Sequence, residues 1–397
     1  MVGCFKGLHS LTVPSASQRY HIFADFEFNY RKFAESGGLR RKDRNMKEKL
    51  LGKTLSELQD IAAQEGLPAF TAKQMAQWLY QKRVTEIDAM TNLSKAARAA
   101  LSERYEVGRT APVETFTSKD GTRKYLFPTD VPGKYIETVM IPEYEDGSEG
   151  GIARATVCVS SQIGCKMGCR FCMTGRGGFH GHLSAAAILS QFLDIDEAEQ
   201  LTNAVFMGMG EPLDNWAEVS RALTVITADW GFAWSPKRVT LSTIGVLPKL
   251  KLFLEESRCH LAVSLHNPFP QEREKLMPVQ KAWPIQEVID LIRQYDFSGQ
   301  RRVSFEYTMF AGMNDTPRYA DALARLLRGL PCRINLIRFH AIPDAPFQAS
   351  GPEAIAAFQA RLQKAGITTT LRASRGEDIL AACGLLAGRG LKKPENK

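Results

Sequence analysis

The stretch ATVCVSSQIGCKMGCRFCMTG, residues 155–175, contains both the first strand of a β/α repeat and three closely spaced cysteines. Its beginning, ATVCVSS, is a short apolar run rich in Val, which is typical of a buried strand. Cys165, Cys169 and Cys172 follow in the loop where that strand should end. Because parallel α/β folds place their chemistry at the carboxyl ends of strands, this loop is the first candidate site.

Six further strand-like runs follow this stretch: NAVFMG, RVTLST, HLAVSL, VSFEYTM, RINLIRF and TTTLRA. Amphipathic segments such as LSAAAILSQFLDIDEA and PIQEVIDLIRQY separate them. This alternation predicts a parallel sheet, and a length of about 230 residues matches an α/β fold of the (β/α) barrel type, complete or partial. We place this barrel at residues 151–376. A doubly wound open sheet is the competing architecture.

The chain before residue 151 divides into three parts. Helical periodicity in MKEKLLGKTLSELQDIAAQEG, TAKQMAQWLYQKRV and LSKAARAALSERY predicts a small N-terminal helical domain at residues 47–107. The β-rich runs at 108–150, interrupted by Asp-Gly and Pro-Gly dipeptides, predict a β-hairpin extension. Residues 1–46 lack this patterning, and we expect them to form a disordered extension.

Composition limits the class of protein. The chain has 397 residues, of which 44% are hydrophobic, and this is enough to bury a sizeable core. We expect no membrane span, because no run of about 18 apolar residues is present. Lys and Arg outnumber Asp and Glu by 51 to 43 and concentrate at both ends. This charge favours a polyanionic partner, and a solvated basic surface is the alternative.

The three loop cysteines suit a metal centre, because thiolates with spacers of three and two residues can converge on one soft site. Three protein ligands on a four-iron cluster leave one iron open, so the absent fourth ligand marks a place for a substrate. The alternative is a structural zinc site closed by Cys158, in a non-catalytic RNA-binding module. The position of Cys158 inside a predicted strand and the lack of a second CxxC pair disfavour it.

The CxxxCxxC spacing before a predicted βα barrel resembles the radical S-adenosylmethionine (SAM) superfamily. In that superfamily, SAM binds the open iron of a [4Fe-4S] cluster and is cleaved to a 5′-deoxyadenosyl radical. Further blocks, CVSSQIGC, FMGMGEPLDN, VTLST, VSLH, INLI and SRGEDILAACG, resemble in order and spacing the RlmN family of dual-specificity RNA methyltransferases. This resemblance covers roughly residues 47–390.

The RlmN resemblance implies methylation of C2 of an adenosine in 23S rRNA and in certain tRNAs. It also implies a cytoplasmic monomer that receives electrons from a donor such as flavodoxin. The nearest alternative is a Cfr-like enzyme, which methylates C8 of the same adenosine. The N-terminal helical region and the GMGEPLDN block favour C2.

The resemblance assigns roles to the thiols and to one carboxylate. The three loop cysteines would bind the cluster. Cys383, in the C-terminal segment 377–397 with its basic tail, matches the cysteine that carries the methyl group. Cys158 matches the thiol that resolves a covalent protein–RNA adduct and leaves a disulfide. Glu137 matches the general base, and burial would make its carboxylate a stronger base. One SAM would methylate Cys383 and a second would supply the radical.

The same resemblance assigns contacts with SAM at predicted strand ends. Five residues match positions that contact its amino group, carboxylate or ribose: Gly210, Glu211, Ser242, Ser264 and His266. Without the resemblance, each of them could be a plain turn or a satisfied structural residue. His340 lies in INLIRFHAIP, where the family usually has Asn. A neutral His offers one donor or one acceptor and cannot replace both groups of an amide.

Overall fold

The computed structural model describes residues 47–145, 151–297 and 301–388, so the expected extension at 1–46 and the end of the basic tail lie outside it. In chain order the strands are β1 (Glu48–Lys49), β2 (Tyr105–Glu106), β3 (Glu114–Thr117), β4 (Arg123–Pro128), β5 (Tyr135–Tyr144), β6 (Ile152–Cys158), β7 (Gln162–Gly164), β8 (Phe179–His182), β9 (Asn203–Phe206), β10 (Val239–Thr243), β11 (His260–Ser264), β12 (Val303–Met309), β13 (Arg333–Arg338) and β14 (Thr368–Leu371).

The α-helices alternate with these strands over most of the chain. They are α1 (Leu55–Gln64), α2 (Thr71–Ala76), α3 (Lys95–Arg104), α4 (Met173–Arg176), α5 (Ala185–Leu193), α6 (Trp216–Thr227), α7 (Leu247–Glu256), α8 (Pro270–Leu276), α9 (Ile285–Ile292), α10 (Pro317–Leu326) and α11 (Pro352–Lys364). None of these described helices is long and apolar enough to cross a bilayer.

The main sheet has ten strands in the order β14-β13-β12-β11-β10-β9-β6-β5-β4-β3. Strands β6 and β9 to β14 pair in parallel, and β3, β4 and β5 extend the sheet with antiparallel pairing. The parallel strands follow chain order without the reversal that defines a doubly wound sheet. Within the described residues, β14 and β3 remain unpaired with each other. The expected partial (β/α) barrel with a hairpin extension is therefore confirmed.

Helices cover the outer face of the sheet because their apolar residues recur at helical spacing. In α9, Ile285, Val288, Ile289 and Ile292 lie on one face and are fully buried. Burial of a side chain of this size contributes roughly 1.5–3 kcal/mol. This packing holds the strands in register, so that the ends of the parallel strands meet at one edge.

The region before the barrel contains α1, α2 and α3. Thr54 caps α1 through a capping box with Glu57, and Ser94 caps α3 by accepting a 3.1 Å hydrogen bond from the Ala97 amide. Buried side chains of these helices share one continuous hydrophobic core with the barrel. Tyr80 contacts the Trp230 ring at 5.8 Å across that core.

The hairpin extension brings one of its strands beside the first parallel strand. β5 pairs with β6, and Val139 is directly opposite Cys158. The turn before β4 contains Gly121 at φ +82°, where a Cβ would lie 2.1 Å from the Tyr144 hydroxyl. Only glycine fits this close approach. The extension thereby places Glu137, on β5, next to the barrel.

Candidate active site

The cysteine loop lies between the short strand β7 and helix α4. Strand β7 separates the loop from β6, whereas the sequence suggested that the loop follows the first strand directly. The Cys165 amide donates to the Gly178 carbonyl at 2.8 Å, and the Cys172 amide donates to the Cys169 carbonyl at 3.2 Å. These backbone bonds fold the loop so that its three thiols share one region of the structure.

Burial and mutual repulsion disfavour the thiolate forms of the loop cysteines. Burial raises the pKa of Cys165 to about 12 and raises that of Cys169 well above its ordinary value. The charges of neighbouring loop thiolates raise both values further. Three thiolates can therefore coexist here only beside a strongly cationic centre.

The loop cysteines fit a cluster better than a single ion. Across the described ranges, no group of three or more His, Cys, Asp or Glu side chains is arranged to hold one metal ion. In a four-iron cluster, each thiolate binds a different iron, so the thiols need not converge on one point. Three partly buried thiols on one loop therefore suit an iron–sulfur cluster.

A cavity of about 1160 Å³ runs along the inner face of the sheet. It extends from residues at the starts of strands, such as Asn203 and His260, to the cysteine loop and the C-terminal segment. Cys158, Cys172 and Cys383 all line it. The barrel interior is thus open enough to admit small molecules or part of a nucleotide, unlike a closed barrel packed with side chains.

Cys158 and Cys383 share this cavity but differ in exposure. Cys383 is exposed, whereas Cys158 is buried at the end of β6. Burial raises the pKa of Cys158 to about 12, with a further contribution from the charge of Cys383. All seven cysteines within the described residues are free thiols, so the expected disulfide is absent between these two. Both thiols nevertheless line the same cavity.

Arg372 was not anticipated from the sequence. Its Nη1 donates to Glu306 Oε2 at 3.3 Å and lies 3.0 Å from Met207 Sδ. Burial lowers the pKa of Arg372, but the charges of Cys383, Glu306 and Cys158 raise it overall. The Arg372 guanidinium and the thiols of Cys158 and Cys383 line the same cavity. Its position directly after β14, in TTTLRA, is the signal that could have identified it, because polar residues at strand ends face the site.

The segment with Cys383 is held by contacts from distant parts of the chain. Its regular secondary structure within the described residues is a short 3-10 turn at Glu377–Ile379. The Met173 amide donates to the Gly384 carbonyl at 2.8 Å, and Thr174 Oγ1 donates to the Leu386 carbonyl at 2.7 Å. The segment is therefore attached directly to the helix that follows the cysteine loop.

Glu137 contacts the same segment from the hairpin extension. Its Oε2 accepts from the Ala387 amide at 2.9 Å, and its Oε1 lies 3.4 Å from Lys124 Nζ. Both side chains are buried, with exposed fractions of 1%. A sequence reading alone makes Glu137 an exposed strand residue, so its burial comes from the C-terminal segment and from the next strand.

The GMGEP loop packs closely against β7 at Gly210. A Cβ on Gly210, at φ +102°, would lie 2.5 Å from Gln162 Cβ. Glu211 is buried, and its carboxylate accepts from Thr243 Oγ1 at 2.6 Å, from the Ile244 amide at 2.9 Å and from the Leu213 amide at 3.1 Å. Burial raises the pKa of Glu211 to about 7 despite these donors. About one acceptor position remains for a further donor.

The other expected SAM positions lie at strand ends as the sequence indicated. Ser242 and Ser264 are half-buried on β10 and β11. His266 is buried with φ +55°, and its Nδ1 accepts from the Thr308 amide at 3.0 Å, which puts the ring proton on Nε2. Burial, with Arg273, lowers the pKa of His266 to about 3, so it is neutral. Asn314, missed in the sequence, fixes this turn by donating to the His266 carbonyl.

His340 is the one expected SAM position on the wall of the cavity. Its Nε2 lies 3.2 Å from Ser374 Oγ, and its Nδ1 lies 3.4 Å from Glu377 Oε1. Both ring nitrogens therefore have partners on the chain that leads to Cys383. This arrangement links β13 to the C-terminal segment.

Comparisons with known proteins agree with this geometry. Residues 159–323 match the family model "Radical SAM superfamily", and residues 48–107 match "Ribosomal RNA large subunit methyltransferase N-terminal domain". A "Probable dual-specificity RNA methyltransferase RlmN" of Porphyromonas gingivalis is 55% identical over 88% of this chain and 99% of its own length. The "Dual-specificity RNA methyltransferase RlmN" of Marinobacter nauticus is 42% identical over 86% of this chain and 93% of its own length. The chain belongs to the RlmN family.

Membership of the RlmN family makes the chain a radical SAM RNA methyltransferase that uses a [4Fe-4S] cluster and SAM. The crystal structure of a radical SAM methyltransferase from Sphaerobacter thermophilus is 40% identical and covers 86% of this chain and 100% of its own, with a TM-score of 0.78. The fold class, the resemblance to RlmN and both cofactors expected from the sequence are thereby confirmed.

Proposed function

We propose that the chain methylates C2 of an adenosine in 23S rRNA and in tRNA, with Cys383 as the methyl carrier and two SAM molecules per product. The observation that carries this proposal is the cavity whose wall includes Cys172 of the cysteine loop, Cys158 and Cys383. A cluster ligand, a carrier and a resolving thiol then face one space. The protein would act as a cytoplasmic monomer, reduced by a donor such as flavodoxin.

The substrate carbon explains why two kinds of thiol are needed. C2 of adenine is electron-poor, so it does not attack the methyl group of SAM as a nucleophile. The cluster, held by Cys165, Cys169 and Cys172, and the bound SAM would together supply a carbon-centred radical. A residue of the chain must therefore hold the methyl group where that radical can reach it.

Cys383 is suited to hold the methyl group because it is exposed on the cavity wall. It would take the methyl group by displacement as a thiolate, with the Arg372 guanidinium on the same cavity wall. Once the transferred carbon joins the Cys383 sulfur to adenine C2, Cys158 would attack that sulfur and form a transient disulfide with Cys383. The sulfur–carbon bond would break with its electron pair on the carbon, which takes a proton to become the methyl group of the product, and an external thiol would reduce the disulfide. Burial of Cys158, which raises its pKa, would delay this attack until the adduct is in place.

Glu137 would act as the general base that removes the C2 proton. It lies on β5, beside the strand of Cys158, and its buried carboxylate is close to the C-terminal segment. The bond from the Ala387 amide to Oε2 would have to open for Glu137 to accept a proton, so we expect the segment to adjust when RNA binds.

The remaining SAM contacts would come from the loops at the strand ends. Glu211 and Gly210 would receive the amino group, and Ser242, Ser264 and His266 would face the carboxylate and ribose. Since His266 is neutral with its proton on Nε2, it can only donate there. His340 would contribute to the site indirectly, because its contacts with Ser374 and Glu377 hold the chain that leads to Cys383.

RNA would approach over a positively charged wall. Arg302, Arg333, Arg338 and Arg375 line the cavity, whereas Glu143 and Glu306 are the acidic residues on it. Such charge attracts phosphate groups and makes binding weaken with salt. The region 48–107, which matches an rRNA methyltransferase N-terminal domain, would add a surface that recognises RNA shape.

Two measurements on one preparation test the proposal. Mass spectrometry of the peptide with Cys383, from protein expressed with an intact cluster loop and from C169A, should find the methyl thioether only in the former. Nucleoside analysis of RNA treated with the protein should yield 2-methyladenosine. Unmodified Cys383 in protein with a full cluster would contradict the carrier role, and 8-methyladenosine would instead indicate the Cfr-like reaction.

A further inference from the structure

A fully buried arginine lies beneath the cysteine loop. Arg273, on α8, has an exposed fraction of 0%. Its Nε donates to the Leu265 carbonyl at 3.0 Å, its Nη2 to the Ser264 carbonyl at 2.9 Å and its Nη1 to Gln280 Oε1 at 2.5 Å. All its bonds therefore go to neutral oxygens, and they hold the guanidinium in one position.

Arg273 has no carboxylate partner among the residues that the structure describes. Its sequence neighbours Glu272 and Glu274 pair with other cations, Glu272 with Arg318 at 3.6 Å and Glu274 with Lys281 at 3.3 Å. A buried charge without an opposite charge is strongly unfavourable. A guanidinium keeps its charge at neutral pH even when it is buried. The described side chains bonded to Arg273 supply no anion that would offset its charge.

The cysteine loop is where that anion would lie. The loop rests on the end of α8, because the Arg170 amide donates to the Leu276 carbonyl at 3.0 Å. Phe171 of the same loop packs edge to face on the His266 ring at 4.8 Å, and His266 directly follows Leu265, to whose carbonyl Arg273 donates. Cys169 also packs against the hydrophobic cluster that contains Leu276 and Met277.

We propose that Arg273 is the charge partner of the iron–sulfur cluster: its buried cation offsets the negative charge of the cluster with its three thiolates and raises the reduction potential. One electron from a low-potential donor changes the cluster core from 2+ to 1+ and the net charge, with three thiolates, from −1 to −2. A fixed nearby cation stabilises the more negative state. Arg273 does so without contacting RNA, whichever adenine carbon is methylated.

A matched arginine elsewhere in the chain provides the control. Arg301 is also buried and donates to three carbonyls, those of Cys259, Leu254 and Phe253. Its neighbouring thiol, Cys259, is not a cluster ligand. The substitution R301Q therefore removes a buried guanidinium with the same kind of bonds but leaves the charge near the cluster unchanged.

The experiment is a potentiometric titration of the reconstituted holoenzyme, followed by electron paramagnetic resonance of the reduced cluster. For R273Q, we expect at least a tenfold fall in the ratio of reduced to oxidised cluster at a fixed applied potential. This fall corresponds to a reduction potential about 59 mV more negative for a one-electron couple. R301Q should keep the parent potential. If R273Q with full iron content has the same reduction potential as the parent protein, the proposal is overturned and the role of Arg273 is only structural.

A second variant avoids removing the arginine. Q280E places a carboxylate on Arg273 Nη1 and keeps the oxygen that also accepts from the Ile285 amide at 3.2 Å. The new anion should compensate Arg273, so we expect Q280E also to shift the potential to more negative values. An unchanged potential in cluster-loaded Q280E would contradict the proposal.

Loading of the cluster gives an independent result if R273Q is unstable. R273K keeps the positive charge but loses the three-bond geometry. The charge role is supported if R273K binds the cluster with the reduction potential of the parent protein and R273Q does not bind it. Equal failure of both variants would show that the shape of Arg273, not its charge, is what the site requires.

Discussion

The cysteine loop and the C-terminal segment both bring thiols to the same cavity, but they are held in different ways. Bonds within or next to the loop fold it, such as that from the Cys172 amide to the Cys169 carbonyl. The segment with Cys383 has only a three-residue 3-10 turn and depends on partners far along the chain. Thr174 and Leu386, for example, are 212 residues apart, and Glu137 and Ala387 are 250 apart.

This difference separates the assembly of the cluster from the placement of the carrier. The loop can take its shape from its own sequence and from α8 below it. Cys383 reaches the cavity only when the hairpin extension and the cysteine loop are both in place. Substitutions remote from every thiol should therefore displace Cys383 while the cluster remains bound.

The largest expected effect comes from the loop itself. C169A should lose the cluster, because two thiolates cannot hold it, and RNA methylation should fall below detection. Iron and sulfide analysis of anaerobically purified protein measures this loss. C332A, which removes a half-buried thiol just before β13 and outside the loop, should keep parent iron content. Cluster retention in C169A would contradict the assignment of this cysteine.

The next effect concerns the pair formed by Glu137 and Lys124. E137Q leaves the buried Lys124 charge without its carboxylate, and we expect a loss of about 3 kcal/mol in the free energy of unfolding. Hydrogen exchange should also rise around residue 387, because Glu137 accepts from the Ala387 amide. Iron content should remain at the parent level, since the loop does not depend on this pair.

The double variant K124M/E137Q separates charge from shape. Replacement of a buried ion pair by neutral side chains is often tolerated, so the double variant should recover most of the lost stability. Chemical denaturation of both single variants and the double variant gives the coupling energy. Equal and additive losses would show that Lys124 and Glu137 do not act as a pair.

A smaller effect is expected at Asp120, in the first turn of the hairpin extension. Its Oδ2 accepts from the Gly376 amide at 3.0 Å, at the start of the segment. D120N should increase hydrogen exchange at 376–388 about fivefold, because a charge-assisted bond contributes roughly 1 kcal/mol. D130N, at an exposed turn residue of the same extension, should leave exchange there unchanged.

The Asp120 contact also predicts a pH dependence. Although burial alone would raise its pKa, hydrogen bonds from Gly376, Thr122 and Ser118 lower the pKa of Asp120 to about 2, below the ordinary value of 3.8. A carboxylate whose pKa is lowered in the fold stabilises it at pH values above the ordinary pKa. This stabilisation is lost as the pH falls through the lowered pKa. The difference between D120N and the parent should thus be constant above pH 4 and disappear towards pH 2. A difference that changes between pH 5 and 7 would point to another group.

The sequence was sufficient for the barrel and for the cysteine loop because both rest on local patterns. The seven parallel strands match the seven predicted runs, and the loop follows from the spacing of three cysteines. Periodicity of side chains determines which face of each strand or helix is buried, and it can be read within ten residues.

The contacts around Cys383 could not be obtained in this way. Burial of Glu137 depends on a segment 250 residues away, and Arg372 meets Cys158 and Cys383 only after the sheet has formed. Burial of Arg273 could not be read from its own helix, because its two flanking glutamates give no sign that the side chain between them is buried. Tertiary packing decides these environments, and sequence patterns do not report it.

The measurement that tests the central claim most directly is denaturing electrophoresis with mass spectrometry of the C158S variant, purified with its cluster from cells. If Cys383 carries the methyl group and Cys158 releases the product, RNA should remain covalently attached to Cys383 in C158S. C259S, a matched substitution of a buried strand-end thiol, should carry no RNA. C158S protein with a full cluster, active turnover and no covalent RNA would contradict the account.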